Sequence, residues 1–234
     1  IIDTAICSTP IARPAFASDM FSRLAISFEQ ILQQDQLQLV RPYHLTILFH
    51  MLFTESTNNK PLFLLSEYAA NPKSNPKILV LATVFHCLIR KLMEIDIDVA
   101  VLHSLGYLIL YLLYHHPAFA TEIRKEINVD HFPNLIFNTN LPENTRVLVI
   151  ALVANLVVTN ERIQQICTTA AYLTKIREIL ADAPSRCALW YLILIRRSFH
   201  LFSPESDDFV LNGLHVQCAC YIFHKASSCR AAAI

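Results

Sequence analysis

Glycine is almost absent from this sequence. The chain has 234 residues, and its two glycines are Gly106 and Gly213. Phosphate-binding loops and dinucleotide-binding fingerprints need several glycines, because their tight turns and close backbone approach leave no room for a Cβ atom. Hairpin-rich β folds also use glycine at turn positions with positive φ. The shortage therefore excludes nucleotide-binding sites of these kinds and argues against an all-β fold.

Charge is also scarce. Charged residues make up 16% of the chain and the formal net charge is zero, whereas about 25% of residues are charged in a typical soluble domain. Nucleic-acid binding normally requires a basic surface. We therefore expect no nucleic-acid partner.

Apolar runs long enough to cross a membrane are missing as well. The best candidate, residues 99–114, contains His103 and Ser104 and is shorter than the roughly 20 apolar residues that a span needs. We expect this run to be a buried helix of a repeat protein and not a membrane span. A fragment of a membrane protein is the alternative from a different functional class.

Apolar residues are abundant, at 54% of the chain, and eleven prolines separate them into segments. Within the segments the apolar residues recur every three or four positions, which is typical of helices. The pattern predicts helices that begin near Ser18, Pro42, Pro61, Pro76 and Asp98, then helices at 118–127, 130–137, 142–158, 161–168, 171–180 and 184–199, and a last one ending near His224. No segment shows the sustained alternation of a half-buried strand. The sequence predicts an all-α fold.

Three of the predicted helix starts resemble one another. Each has a small or polar cap, an arginine and then an apolar run, and the arginines Arg146, Arg186 and Arg230 lie roughly 40 to 44 residues apart. An earlier copy centres on Leu102 and lacks the arginine. This period is that of armadillo and HEAT repeats. Because one repeat cannot bury its apolar face alone, repeats stack. The sequence therefore predicts an armadillo/HEAT-type α-solenoid, a right-handed superhelix of stacked helix pairs or triplets.

The expected organisation is an irregular lead-in over residues 1–17 and one helical repeat domain over residues 18–234. Since the chain begins at Ile1 and stops where the pattern predicts the start of a further helix, we expect a fragment truncated at both ends. For Arg146, Arg186 and Arg230 we expect a structural role, in which each arginine ties one repeat to the next through carboxylates or backbone carbonyls. A ladder of binding arginines on one face is the alternative.

One group of residues suggests a zinc site, namely His215, Cys218, Cys220 and His224. On a helix, successive residues turn by about 100°, so Cys218 and Cys220 point in nearly opposite directions. Four ligands could then converge on one tetrahedral ion only if the helix broke. We therefore expect no metal site.

The cysteines and carboxylates give no sign of catalysis. The seven cysteines are odd in number and no secretory signal precedes them, which favours buried thiols in a reducing cytoplasm; they are Cys7, Cys87, Cys167, Cys187, Cys218, Cys220 and Cys229. No segment resembles a nucleophile elbow. The paired carboxylates Asp96/Asp98 and Asp207/Asp208 fall at predicted helix starts, where capping explains them. We expect a non-enzymatic protein with no catalytic residue, cofactor or small-molecule substrate.

The order of segments resembles a known family. The likeness begins near Phe21 (MFSRLAISFEQIL) and continues through YHLTILFHMLF and KILVLATVFHCLIRKLM. It is strongest over residues 141–199, in LPENTRVLVIALVANLVVTNERIQQIC and AYLTKIREILADAPSRCALWYLILIRRSF, and the closing SSCRAAAI resembles the start of a further repeat. These segments resemble the armadillo region of the raptor family, the substrate-recruiting scaffolds of the target-of-rapamycin (TOR) kinase complex. The polar insert at 54–60 and the missing arginine near Leu102 depart from that pattern.

The resemblance implies a function. Raptor-like proteins carry a caspase-like domain before these repeats and a WD40 propeller after them, and their armadillo stack packs on the HEAT repeats of the kinase. The resemblance thus implies a cytoplasmic scaffold of TOR complex 1 that binds the kinase, recruits substrates through short signalling motifs, acts in cell-growth control and can be recruited to the lysosome or vacuole surface. The alternative within the binding class is an unrelated armadillo/HEAT adaptor in trafficking or nuclear import.

Overall fold

The computed structural model describes residues 15–54, 59–82, 88, 91–92, 98–115, 132–158, 160–199, 213 and 218. Within these ranges every regular element is an α-helix or a 3-10 helix. The all-α prediction is confirmed for this part of the chain. The chain divides into two compact units, Ile1–Thr83 and Val84–Ile234.

The described residues of the first unit form four α-helices and one short 3-10 helix. They are α1 (Ala15–Gln33), the 3-10 helix Leu37–Leu39, α2 (Pro42–Thr54), α3 (Lys60–Ala70) and α4 (Pro76–Ala82). Helix α2 packs against α1, α3 and α4, and α1 also packs against α3. The largest side chains of this core are Phe28, Leu45, Phe49, Leu62 and Tyr68, all essentially inaccessible to solvent.

Prolines begin the helices of this unit as the sequence predicts. Helices α2 and α4 start at Pro42 and Pro76, and Pro61 lies in the first turn of α3. The first turn tolerates proline because its N–H groups have no partner within the helix. The predicted helix start near Ser18 is three residues late, because α1 already begins at Ala15. The alanines at its start favour helix, so the helix extends back towards Pro14.

The end of α1 shows how a chain with two glycines closes a helix. Asp35 adopts a left-handed backbone with φ of 54°. Its N–H donates to the carbonyl of Leu32 (3.1 Å), and the N–H of Gln36 donates to the carbonyl of Ile31 (3.0 Å). This is a Schellman motif, in which glycine usually holds the left-handed position and aspartate is one of the few other residues that adopt it.

The part of the second unit that the structure describes contains the 3-10 helix Phe132–Phe137 and five complete α-helices. These are α5 (Val99–His115), α6 (Glu143–Leu156), α7 (Glu161–Cys167), α8 (Ala170–Asp182) and α9 (Ser185–Phe199). Helix α6 packs against α5 on one side and α9 on the other, and the 3-10 helix contacts α6, α7 and α8. Helices α7, α8 and α9 follow one another as a short, a medium and a long helix.

Helix α6 explains much of the apolar composition. It has no single apolar stripe, because neighbouring elements cover it on most sides. Nine of its fourteen residues are buried: Thr145, Val147, Val149, Ile150, Ala151, Leu152, Val153, Ala154 and Leu156. Apolar residues that a lone helix would expose are thus covered by adjacent repeats.

Side-chain caps fix several helix starts in this unit. Asp98, which the sequence predicts as a cap, accepts from the backbone N–H of Ala100 (2.8 Å) and of Val101 (3.3 Å). Asn160 and Thr169 cap α7 and α8 in the same way. Each cap satisfies a backbone donor that the helix cannot.

Some predicted boundaries differ from the structure. The segment predicted as an α-helix at 130–137 contains the 3-10 helix Phe132–Phe137, a geometry that suits short pieces. Helix α6 ends at Leu156 instead of residue 158, and α9 begins at Ser185, one residue after Pro184. The predicted helix at 118–127 lies outside the described residues, as does almost all of the last predicted helix.

Candidate functional site

Three pairs of side chains join neighbouring helices of the second unit at a constant separation in sequence. The Nδ1 atom of His103 on α5 lies 3.2 Å from Oγ1 of Thr145 on α6, 42 residues later. Arg186 and Arg197 on α9 each contact α6 in the same way, at a separation of 42 residues. These bonds place α5, α6 and α9 side by side, as the same helix of three successive repeats.

The predicted repeat arginines occupy different environments. Arg186 is exposed, and its Nη1 donates to Oδ1 of Asn144 at 2.6 Å. The Nε atom of Arg146 is buried and has no hydrogen-bond partner in the described part of the chain. The positive charge of Arg146 acts on Tyr191, where it opposes the upward pKa shift that burial causes. Arg230 lies outside the described residues, so the expected structural role of all three arginines stays a prediction.

Arg197, which the sequence analysis did not single out, makes the kind of tie expected of the repeat arginines. Its Nη1 donates to the backbone carbonyl of Ala154 (2.9 Å) and to Oδ1 of Asn155 (2.8 Å). The Asn155 side chain is itself held, since its Nδ2 donates to the carbonyl of Ala151 at 2.8 Å. Helix α6 therefore fixes the position of the Arg197 guanidinium.

A groove of about 520 Å³ crosses the exposed side of α5, α6 and α9; we call it the three-helix groove. Its floor and one wall are mainly apolar and come from α5 and α6: Leu110, Leu113, Tyr114, Val147, Leu148 and Ala151. Asn155 extends the same face of α6 by one turn. Trp190 and Arg197 of α9 form the other wall, seven residues or about two helical turns apart.

Large side chains remain accessible in this groove. Tyr114 is 83% exposed, and its ring packs edge-on against His115 with the centroids 4.9 Å apart. Leu110, Leu113 and Trp190 are half-buried. Aromatic side chains at the centre of an apolar surface are the usual anchors of protein–protein contacts. The three-helix groove is therefore the candidate binding surface of the second unit.

The buried thiols and phenols of the second unit are poorly suited to nucleophilic chemistry. Burial raises the pKa of Cys167 to about 12, and the hydrogen bond with Tyr172 opposes this only in part. Cys187 is fully buried. Burial also raises the pKa of Tyr172 and of Tyr191. The Tyr191 hydroxyl donates to the carbonyl of Ile136 at 2.6 Å.

A smaller pocket lies in the first unit, between the 3-10 helix Leu37–Leu39 and the start of α4. It has a volume of about 320 Å³ and is lined by Asp35, Arg41, Lys73 and Asn75 among others. Lys73 forms an ion pair with Asp35. This pairing offsets the charges of Lys73 and Asp35, and Arg41 is the other charged residue of the described lining.

Neither a metal-binding cluster nor a single membrane-crossing helix occurs in the described ranges. No three His, Cys, Asp or Glu side chains there come together to hold an ion. Of the four residues considered and rejected as zinc ligands, Cys218 is described, and burial raises its pKa to about 11. No single described helix is long and apolar enough to span a bilayer; α6 and α7 pass on length and composition as a pair, but they are bent by 117°.

The helices of the two units define an armadillo-type repeat protein, and a structural comparison agrees. A designed armadillo repeat protein is similar to this chain with a TM-score of 0.66 and 16% sequence identity, over 97% of this chain and 93% of that one. At this identity the likeness concerns the fold. No family model matches the sequence, and no curated protein matches it. The armadillo-type α-solenoid prediction is confirmed, whereas the raptor resemblance stays a prediction.

Proposed function

We propose that this chain is a non-catalytic scaffold that binds partner proteins, and that it forms part of a raptor-like subunit that binds the TOR kinase and recruits its substrates. The three-helix groove carries the first part of this proposal. The second part depends on the sequence resemblance, which is strongest over residues 141–199.

The physical case for a binding scaffold lies in the exposed side of the stacked helices. Stacked repeats present long continuous surfaces. In this chain such a surface combines an apolar floor with exposed Tyr114 and with the polar groups of Asn155 and Arg197. A large apolar centre with polar groups at its edge is the usual composition of a protein–protein interface.

Affinity purification of the tagged full-length protein from its own cells tests the proposed partner. We expect the TOR kinase to co-purify in stoichiometric amount. Deletion of residues 141–199 should abolish this association and stop phosphorylation of recruited substrates, while kinase activity on generic peptides is retained. A neighbouring repeat deleted in the same way is the control, because any deletion can unfold a cooperative stack.

A milder pair of variants tests the groove without disturbing the core. Tyr114→Ser removes an aromatic group that is 83% exposed, and Tyr43→Ser removes one from the first unit that is 57% exposed. We expect Tyr114→Ser to weaken partner binding at unchanged thermal stability and Tyr43→Ser to leave partner binding unchanged. Purification of importin-type or coat-type cargo without any kinase would overturn the raptor-like assignment. Full retention of every partner by Tyr114→Ser would remove the groove as the binding surface.

A further inference from the structure

We propose that the three-helix groove binds an extended segment of a partner protein that carries a carboxylate, held by Arg197, about three residues from a large apolar side chain that packs on Trp190. This inference depends on the proposed scaffold function and specifies the chemistry of the segment that the groove accepts.

Arg197 is fixed in place with three of its five N–H donors unused. Both hydrogens of Nη1 are engaged, one by the Ala154 carbonyl and one by Oδ1 of Asn155. Nε and Nη2 have no hydrogen-bond partner in the described part of the chain. Their parallel N–H bonds form the edge that binds a carboxylate through two hydrogen bonds. Because Nη1 already holds the guanidinium on α6, the binding of a ligand does not have to include the entropic cost of ordering the Arg197 side chain.

The positive charge of the groove favours an acidic ligand. Helices α5 and α9 contain no Asp or Glu, and the single acidic residue of α6 is Glu143 in its first turn. Asn155, beside Arg197, lies twelve residues after Glu143, which is about 18 Å along the helix. Among the described residues, the lining of the groove is therefore mainly apolar, with one cation and no acidic residue. An acidic segment complements it, and a basic segment is repelled.

The spacing of Trp190 and Arg197 along α9 sets the distance between the two groups of a ligand that contact them. Trp190 and Arg197 are seven residues apart, and a helix rises by about 1.5 Å per residue, so the two side chains are about 10 Å apart along α9. An extended chain covers that distance in about three residues. The indole N–H of Trp190 has no hydrogen-bond partner among the residues that the structure describes, so it is available to a backbone carbonyl of the bound segment.

Three fluorescent peptides test the proposal directly. Each has ten residues of Ser and Thr with a central Trp and, three positions later, Glu, Gln or Lys. By fluorescence anisotropy with the complete chain, we expect the Glu peptide to bind about tenfold more tightly than the Gln peptide, since a bidentate charged pair replaces a neutral contact. The Lys peptide should bind most weakly. The difference should shrink as salt is raised, because the site is partly open.

Two adjacent arginines supply matched variants. Arg197→Gln removes the cation that lines the groove, and Arg196→Gln removes an identical charge from the exposed neighbour outside it. We expect Arg197→Gln to abolish the preference for Glu over Gln and Arg196→Gln to retain it. Arg197→Lys, which keeps the charge without the two-pronged edge, should retain a reduced preference. Urea midpoints of all variants check that the fold is intact.

Several outcomes would overturn the proposal. Equal binding of the three peptides by the unaltered chain, or no binding, would do so without any protein variant. Loss of the preference in Arg196→Gln would indicate general charge attraction. A chain that sediments as a dimer and becomes monomeric in Tyr114→Ser would show that a second copy occupies the groove. The scaffold proposal is tested separately, by the identity of the co-purified partners.

Discussion

The Nη1 atom of Arg186 lies 2.6 Å from Oδ1 of Asn144, although 42 residues of chain separate the two. The pair His103–Thr145 has the same separation. The structural offset between neighbouring helices is thus 42 residues, whereas Arg186 follows Arg146 by 40. Arg186 therefore lies beside Asn144 and not beside Arg146.

The tie made by Arg186 should contribute little to stability. Because both Arg186 and Asn144 are exposed, water replaces the hydrogen bond when it is lost. We expect Arg186→Ala to lower the free energy of unfolding by about 0.5–1 kcal/mol. Arg197→Ala, which leaves the Ala154 carbonyl without its side-chain donor, should cost about 1–3 kcal/mol. Urea unfolding of the two variants measures both losses in the free energy of unfolding. Equal losses would contradict the expectation that the less exposed Arg197 contributes more than Arg186.

Gly106 offers a stabilising substitution. It lies in the interior of α5, and a Cβ atom added there would meet the Cβ atom of Leu148 at 3.6 Å, an ordinary contact distance. Since alanine is a better helix former than glycine, Gly106→Ala should raise the free energy of unfolding by about 0.5–1 kcal/mol.

The other glycine is the matched control for this measurement. Gly213 has φ of 65°, a conformation that costs alanine about 1–2 kcal/mol. Gly213→Ala should therefore lower the melting temperature, whereas Gly106→Ala raises it. A decrease in both would show that the contact between α5 and α6 has no room for a methyl group.

The elements that the sequence predicts well are those set by local chemistry. Pro42 and Pro76 begin helices because a missing N–H has no cost in the first turn, and Asp98 caps α5 through its own side chain. The repeat period also follows from the pattern of helix starts. Each of these features depends only on residues that lie close together in the sequence or within one repeat length.

The candidate site depends on relations that the sequence does not contain. Helix α6 is apolar on most sides, so its composition cannot reveal which face its neighbours leave open. Arg196 and Arg197 are the same residue type side by side, yet only Arg197 lines the groove. The rotation of α9 against α6 decides between them. The one signal that could have found this tie is the 42-residue spacing between Asn155 and Arg197.

Tyr191 should be important for stability through its hydroxyl group. It is fully buried and donates to the Ile136 carbonyl at 2.6 Å. Tyr191→Phe leaves that carbonyl unpaired away from water, so we expect a loss of about 1–3 kcal/mol in the free energy of unfolding. Tyr114→Phe, at an exposed ring, should change it by no more than about 0.5 kcal/mol. An unaltered urea midpoint for Tyr191→Phe would mean that water or another donor reaches the carbonyl.

Alkaline pH should destabilise the fold in part through Cys167. Its pKa in the folded chain is about 12, above the ordinary value of 9.0, because burial disfavours the thiolate. A group with a raised folded pKa contributes stability that is fully present below the unfolded pKa and is lost as pH rises through the folded one. We expect Cys167→Ala to reduce the slope of unfolding free energy against pH between about 9 and 12, by about 1 kcal/mol per pH unit. Identical slopes in urea titrations of the two proteins would contradict this.

The two ties between α6 and α9 also restrict how the lengths of these helices can vary. On α6 the tied residues Asn144 and Asn155 are eleven positions apart, and on α9 so are Arg186 and Arg197. Eleven residues make about three turns, so both ties fall on one side of each helix. One residue inserted between the ties of either helix would rotate the following part by about 100° and separate one pair, whereas one insertion in each helix would bring the partners back together. Related chains should therefore show insertions in these two helices together, or in neither.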